Sequence, residues 1–236
     1  MSYGPNDFQA EFDVSHETMA RLAAYDAALV DWSARHNLIA RSTLETRWDR
    51  HFRDSAQLFA AIPPGATRLV DIGAGAGFPG LVLAAMGAER GLDVTLVESI
   101  GKKAAFLSAA IAAMRLENAR VLPQRIESIT VSPPDVVTAR ALARLVKLLE
   151  YAAEFSGKST RLIFPKGQDV EDELTEAAKY WHMSVERRPS LTSPGSTILV
   201  ISNFSPKPGV AAAKPTRPAR NPRQARRQGR AKKARP

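Results

Sequence analysis

Apolar positions along this chain change their period several times, and each change marks an element. Between residues 16 and 35, Met19, Leu22, Ala23, Leu29, Val30 and Trp32 recur at helical spacing, which predicts an amphipathic helix. A second helix is expected from Thr43, a candidate N-cap, to about Ala61, where Pro63-Pro64-Gly65 stops it. Short apolar runs then alternate with helical periods. They predict strand 68–72, helix 78–87, strand 93–98, helix 101–115, strands 119–122 and 135–139, helix 142–155, strand 160–165 and helix 169–180. Two more strands, 182–189 and 197–203, follow without a helix between them, around a turn at Ser193-Pro194-Gly195-Ser196. Alternating βα units imply a parallel sheet, and the last pair reads as an antiparallel hairpin. The expected fold is α/β: a doubly wound, Rossmann-like, mostly parallel sheet of six or seven strands with an antiparallel edge strand. The expected division is a small helical extension over 1–62, the sheet domain over 63–204 and a tail over 205–236.

The segment LVDIGAGAGFPG, residues 69–80, breaks a strand into a glycine turn and then a helix. That is the usual cradle of a nucleotide-like cofactor, because glycine turns sharply and lets the backbone approach a ligand. The spacing of Gly73, Gly75 and Gly77 is G-x-G-x-G, not the G-x-G-x-x-G of dinucleotide binders, and no G-K-[ST] follows as in a phosphate loop. With Asp71 two residues before the first glycine, the turn suits S-adenosylmethionine (SAM), whose ammonium wants a carboxylate. The sheet then takes the class I methyltransferase form of the doubly wound fold. Glu98 ends the next strand, where an acid can accept hydrogen bonds from both ribose hydroxyls. NAD would use the same acid. A ligand-free turn at 73–77 and a helix-capping role for Glu98 are the plainer alternatives. Open sheets bind ligands at the carboxyl ends of their strands, and Arg140 and Lys166 fall at such ends too.

The 236 residues are 44% hydrophobic and include no cysteine, which fits one compact cytoplasmic domain without a disulfide framework. No run of 18 apolar residues indicates a membrane span, and the first residues lack the pattern of a signal peptide. The net charge of +9 is uneven. Residues 205–236 hold 11 Lys or Arg and no acid, leaving 22 basic and 24 acidic residues in 1–204. A Pro-, Ala- and Arg-rich tail without apolar periodicity is expected to be disordered and to favour phosphate backbones.

Several segments in order resemble the RsmG (GidB) family: DIGAGAGFPG at 71–80, ESIGKKAAFL at 98–107, QRIES at 124–128, VVTARAL at 136–142, PKGQ at 165–168 and, upstream, HFRDS at 51–55. The resemblance runs from about Trp32 to Phe204. Glu98 stands where Asp is commoner, and Phe164-Pro165 replaces the usual Ala-Leu. The resemblance implies a SAM-dependent transferase that methylates N7 of a guanine in 16S ribosomal RNA. It implies cofactor contacts at Gly73, Phe78, Ile126, Glu127 and Arg140, beside Asp71, Gly75 and Glu98 from the motif. Phe78 would wall the site, Ile126 would pack on adenine, and Glu127 would sit at the adenine edge. Arg140 would meet SAM's carboxylate or an RNA phosphate. Lys166, Lys102 and Lys103 would face RNA, or lie on a solvated face. The expected partner is the small ribosomal subunit or an assembly intermediate of it, met by a monomer.

The absences agree. Methylation at C5 of a pyrimidine needs a cysteine nucleophile, and the chain has none. Ser132-Pro133-Pro134-Asp135 precedes its strand and lacks the residues of an amine-methylating [N/D]-P-P-[Y/F] turn. Guanine N7 carries no proton, so no catalytic base is named; His36, His51 and His182 are not spaced as ligands. Trp48 and Phe52 are expected on a helix's core face. Two rivals remain: an NAD dehydrogenase, and a non-catalytic rRNA-binding or assembly protein that uses the basic tail.

Overall fold

The computed structural model describes residues 3–209. The expected tail of 205–236 lies outside them except for its first five residues. Of these, Ser205 and Pro206 belong to the last strand, so the sheet runs two residues past the expected boundary.

Seven strands, β1 (Arg68–Ile72), β2 (Asp93–Val97), β3 (Ala119–Leu122), β4 (Val136–Thr138), β5 (Arg161–Lys166), β6 (Trp181–Pro189) and β7 (Thr197–Pro206), form one sheet in the order β3-β2-β1-β4-β5-β7-β6. The first five pair parallel, and β7 is antiparallel to both β5 and β6. β7, which runs against the other six strands, is therefore internal, and β6, paired antiparallel to it, forms the edge. The residues explain it. Ile198, Leu199, Val200 and Ile201 of β7 are all buried, as in a strand covered on both faces. Along β6 burial largely alternates with exposure.

Helices cover both faces. On one, α4 (Gly80–Gly87) and α5 (Gly101–Met114) share a core with α1 (Pro5–Phe12) and α2 (His16–Arg35). On the other, α6 (Leu145–Ala153) and α7 (Val170–Tyr180) pack around Leu148, Leu149, Leu174 and Ala177. α1 was not anticipated, although Pro5 at its first turn and Asp7 bonding back to the Gly4 N–H at 2.7 Å are start signals. The buried stripe of α2 is Thr18, Leu22, Tyr25 and Leu29, and Val30 is exposed. Phe8, Leu22, Tyr25, Trp48 and Phe52 join Leu81 and Phe106 in one core. The N-terminal helices are thus part of the main body's packing.

The expected helix from Thr43 begins later and changes pitch. Thr43 closes a short 3-10 turn, Arg41–Thr43. Trp48–Arg53 is then π-helical, Asp54–Ala56 (α3) is α-helical and Gln57–Ala61 is 3-10. Trp48 and Phe52 stack at 4.3 Å inside the core, as expected of a core face. A π-turn within a helix is rare and tends to occur at functional sites. Here it brings His51 and Asp54 toward the ends of β4 and β5.

Candidate functional site

β1 and β4 are the neighbours between which the strand order reverses, and doubly wound sheets open a crevice at that point. Two adjoining clefts lie there. The first, about 500 Å³, is lined by Gly73, Gly75, Phe78, Glu98, Ile126 and Glu127, among others. The second, about 650 Å³, lies over the ends of β4 and β5 and reaches the β6–β7 turn. Thr43, His51, Arg140, Ala141 and Leu142 line both.

The floor of the first cleft is the glycine turn. Gly73, Gly75 and Gly77 have φ of +67°, +58° and +93°, a region that side chains disfavour. A Cβ on Gly73 would stand 2.6 Å from Leu142 Cδ1. Two side chains brace the turn. The Tyr25 hydroxyl donates to the Ala76 carbonyl. The Glu98 carboxylate accepts from the backbone N–H groups of Gly75 at 3.0 Å and Ile100 at 2.7 Å, one on each oxygen. A carboxylate oxygen has capacity for a second donor. A buried acid with that spare capacity, beside a turn kept clear of Cβ atoms, fits an adenosyl ligand.

Asp71 does not reach the cleft. It is fully buried, accepting from the Gly80 N–H at 3.1 Å and the Thr138 hydroxyl at 2.8 Å. Burial raises its pKa to about 7, against the lowering effect of those two hydrogen bonds. The expected contact with SAM's ammonium is corrected: Asp71 ties β1 to β4 and to the start of α4 beneath the turn.

Arg140 stands at the junction. Its guanidinium bonds Asp54 Oδ2 and His51 Nδ1, each at 3.2 Å, and lies 5.0 Å from the centre of the Phe78 ring. His51 stacks on that ring at 5.1 Å. Arginine only donates, so Nδ1 of His51 accepts and the ring proton sits on Nε2. Nε2 then donates to Thr43 Oγ1 at 2.9 Å, and the Thr43 hydroxyl donates to the Ala40 carbonyl at 2.8 Å. Burial, with Arg140 next, lowers the His51 pKa to about 4, which agrees with this neutral tautomer. Asp54 also accepts from Gln57 at 2.9 Å and Thr192 at 2.7 Å.

The lysines divide. Lys166 is bonded to the Ala143 carbonyl at 3.0 Å and to Glu173 at 2.6 Å, with its side chain 8% exposed. It lines the second cleft as one half of an ion pair with Glu173. Lys102 is exposed and Lys103 half-buried at the start of α5, and Lys103 lines the first cleft. Ile126 and Glu127 fall on a short 3-10 turn, with the Tyr151 hydroxyl 3.4 Å from Glu127. Tyr25, Thr192 and Glu173 were not singled out in the sequence. Only Tyr25 had a signal, lying three residues after Leu22 and four before Leu29 on the apolar stripe of α2.

A family model described as rRNA small subunit methyltransferase G (GidB) matches residues 18–197. The "Ribosomal RNA small subunit methyltransferase G" of Rhodospirillum centenum is 50% identical over 206 residues, 87% of this chain and 94% of that protein. Its namesake from Rhodospirillum rubrum is 49% identical over 202 residues, 85% of this chain and 98% of that protein. Among solved structures, an O-methyltransferase from Bacillus cereus in complex with SAH aligns with a TM-score of 0.52 at 18% identity, over 75% of this chain and 90% of that one. A SAM-dependent methyltransferase from Aquifex aeolicus gives 0.52 at 15% identity, over 66% and 91%. At such identities these two structures speak for the fold alone.

Proposed function

The chain belongs to the rRNA small subunit methyltransferase G family, and on that premise we propose that it places a methyl group on N7 of a guanine in 16S ribosomal RNA. Its fold is the class I methyltransferase fold and its cofactor is S-adenosylmethionine. Gly73 and Gly75 would give the ligand's backbone approach, Glu98 its ribose contact, and Ile126 and Glu127 its adenine contacts. Phe78 and Arg140 would close the side toward the acceptor. When bound, SAM supplies an electrophilic methyl on a sulfonium.

The observation that carries the N7 reading is the state of the junction. His51 has both ring nitrogens engaged, and Asp54 already accepts three side-chain hydrogen bonds. His51 keeps its accepting nitrogen on Arg140, and Asp54 is held as the counter-ion of that guanidinium, so neither is set up as a general base. Guanine N7 has an in-plane lone pair and no proton to remove. Holding that atom in line and keeping water out then does the work. Lys102 and Lys103 at the rim would meet RNA phosphate. We take the acceptor to be the small subunit or an assembly intermediate, the active form to be a monomer and the compartment the cytoplasm. No helix among the described residues is long and apolar enough to cross a membrane.

The test is transfer of a labelled methyl group to small subunits from cells that lack the modification, by wild type, Gly73→Asp and Arg140→Ala. Label is expected on N7-methylguanosine, lost in Gly73→Asp. SAM binding without label on subunits, naked 16S rRNA or assembly intermediates would refute the substrate assignment.

A further inference from the structure

Cofactor binding leaves the second cleft without a role. Its shared wall with the first is Thr43, His51, Arg140, Ala141 and Leu142. In-line transfer requires reacting atoms about 3–3.5 Å apart, so an acceptor in the second cleft must turn its nucleophilic atom to that shared wall. For a guanine presenting N7, the opposite edge, with N1–H and the exocyclic amine, then faces walls of the second cleft that the first does not share.

Glu173 of α7 stands on such a wall, at its boundary with a shallow pocket between α6 and α7, its side chain 14% exposed. Its Oε2 accepts from the Leu145 backbone N–H and from the Lys166 ammonium, each at 2.6 Å. Its Oε1 accepts no hydrogen bond from the described residues. That oxygen has two lone pairs for two donors, which matches N1–H and the amine of guanine. Adenine would set its N1 lone pair against the carboxylate. Arg50 and Arg144, both exposed, line the same cleft and have no carboxylate partner within salt-bridge distance among the described residues. Arg47 and Arg53, away from the clefts, are paired with Asp26 and Glu11. Unpaired cations at a cleft mouth suit phosphates flanking an inserted base.

We propose that the second cleft receives the acceptor guanine and that Glu173 Oε1 reads its N1–H and amine, an assignment that rests on the N7 methyltransferase reading above. Glu173→Gln tests it. The amide oxygen can keep the Leu145 and Lys166 bonds, while the amide nitrogen turns donors toward donors. Buried recognition groups discriminate steeply when mismatched, so kcat/KM for undermethylated small subunits should fall at least ~10-fold. SAM affinity by calorimetry should stay within about twofold. Arg144→Ala should raise KM for subunits and leave kcat unchanged. A kcat/KM for Glu173→Gln within about twofold of wild type would overturn the proposal, as would a parallel loss of SAM affinity. If the variant folds poorly, the substrate carries the test: subunits reconstituted with inosine at the methylated position lack the amine. Wild type should methylate them more slowly, and equal rates would overturn the contact. A wild type inactive on every RNA would instead refute the methyltransferase reading.

Discussion

Gly73 and Gly75 offer a controlled pair, because both are left-handed and only one is crowded. Alanine at either position must hold φ near +60°, at about 1 kcal/mol. At Gly75 the new Cβ would find only the Gly73 carbonyl, at 3.7 Å, so Gly75→Ala should lose about that much and no more. At Gly73 the Cβ would overlap Leu142, 2.6 Å from Cδ1 and 3.0 Å from Cδ2. Leu142 is half-buried on an open cleft wall and must swing off its rotamer, which adds about 0.5–1.5 kcal/mol. The total for Gly73→Ala is about 1.5–2.5 kcal/mol. Leu142 lines both clefts, so its displacement should also weaken SAM binding. Urea unfolding and calorimetry with SAM measure the two effects. Equal stabilities for the two variants, with equal SAM affinities, would refute the claim that crowding against Leu142 sets the requirement at Gly73.

Two other expectations follow from the braces beneath the turn. Tyr25→Phe strips the Ala76 carbonyl of its side-chain donor in a buried setting; it should lose about 1–2 kcal/mol and weaken SAM binding, and unchanged values in both assays would remove Tyr25 from the site. Asp71 has a folded pKa raised from 3.8 to about 7, so between those values the unfolded chain releases its proton first, and stability falls as pH rises, by at most ~1.4 kcal/mol per unit, levelling off above about pH 7. Asp71→Asn should flatten this part of the profile in urea titrations between pH 5 and 8; the same slope in variant and wild type would show that another group causes it.

The strand and helix sequence was legible because buried parallel strands are continuous apolar runs and their helices keep a 3.6 period. The order of β6 and β7 was not, since a hairpin pattern shows which strands pair but not which one inserts. The apolar run Ile198 to Ile201, against the mixed pattern of β6, was the available signal. Glu98 and the three glycines were legible by spacing, and the structure lines the first cleft with Gly73, Gly75 and Glu98. Asp71 was misjudged, and the ion pair of Lys166 was not foreseen, for one physical reason. An ionisable residue at a strand end can face a ligand or tie the sheet together, and only burial and partners decide. Thr192 and Glu173 could not be placed at all. They come from a turn and a helix remote in sequence from the glycine motif, and only the sheet order brings them to the same crevice.

The arrangement of charge at the junction accounts for residues that otherwise look redundant. N7 methylation moves a positive charge from donor to acceptor without creating one. A junction of net charge zero neither opposes nor traps that movement. Arg140 alone would oppose the cation developing on guanine, but Asp54 lies 3.2 Å from it as counter-ion. A protonated His51 would add a second cation, but burial and Arg140 hold its pKa near 4. The same guanidinium that keeps His51 neutral is oriented by it through Nδ1, so each supports the other's state. Thr43 fixes the tautomer from the far side of the ring, and Thr192 and Gln57 fix the carboxylate. His51 and Asp54 lie three residues apart, one helical turn, and so face the same junction. That turn presents a charge-balanced, hydrogen-bonded wall between the two clefts.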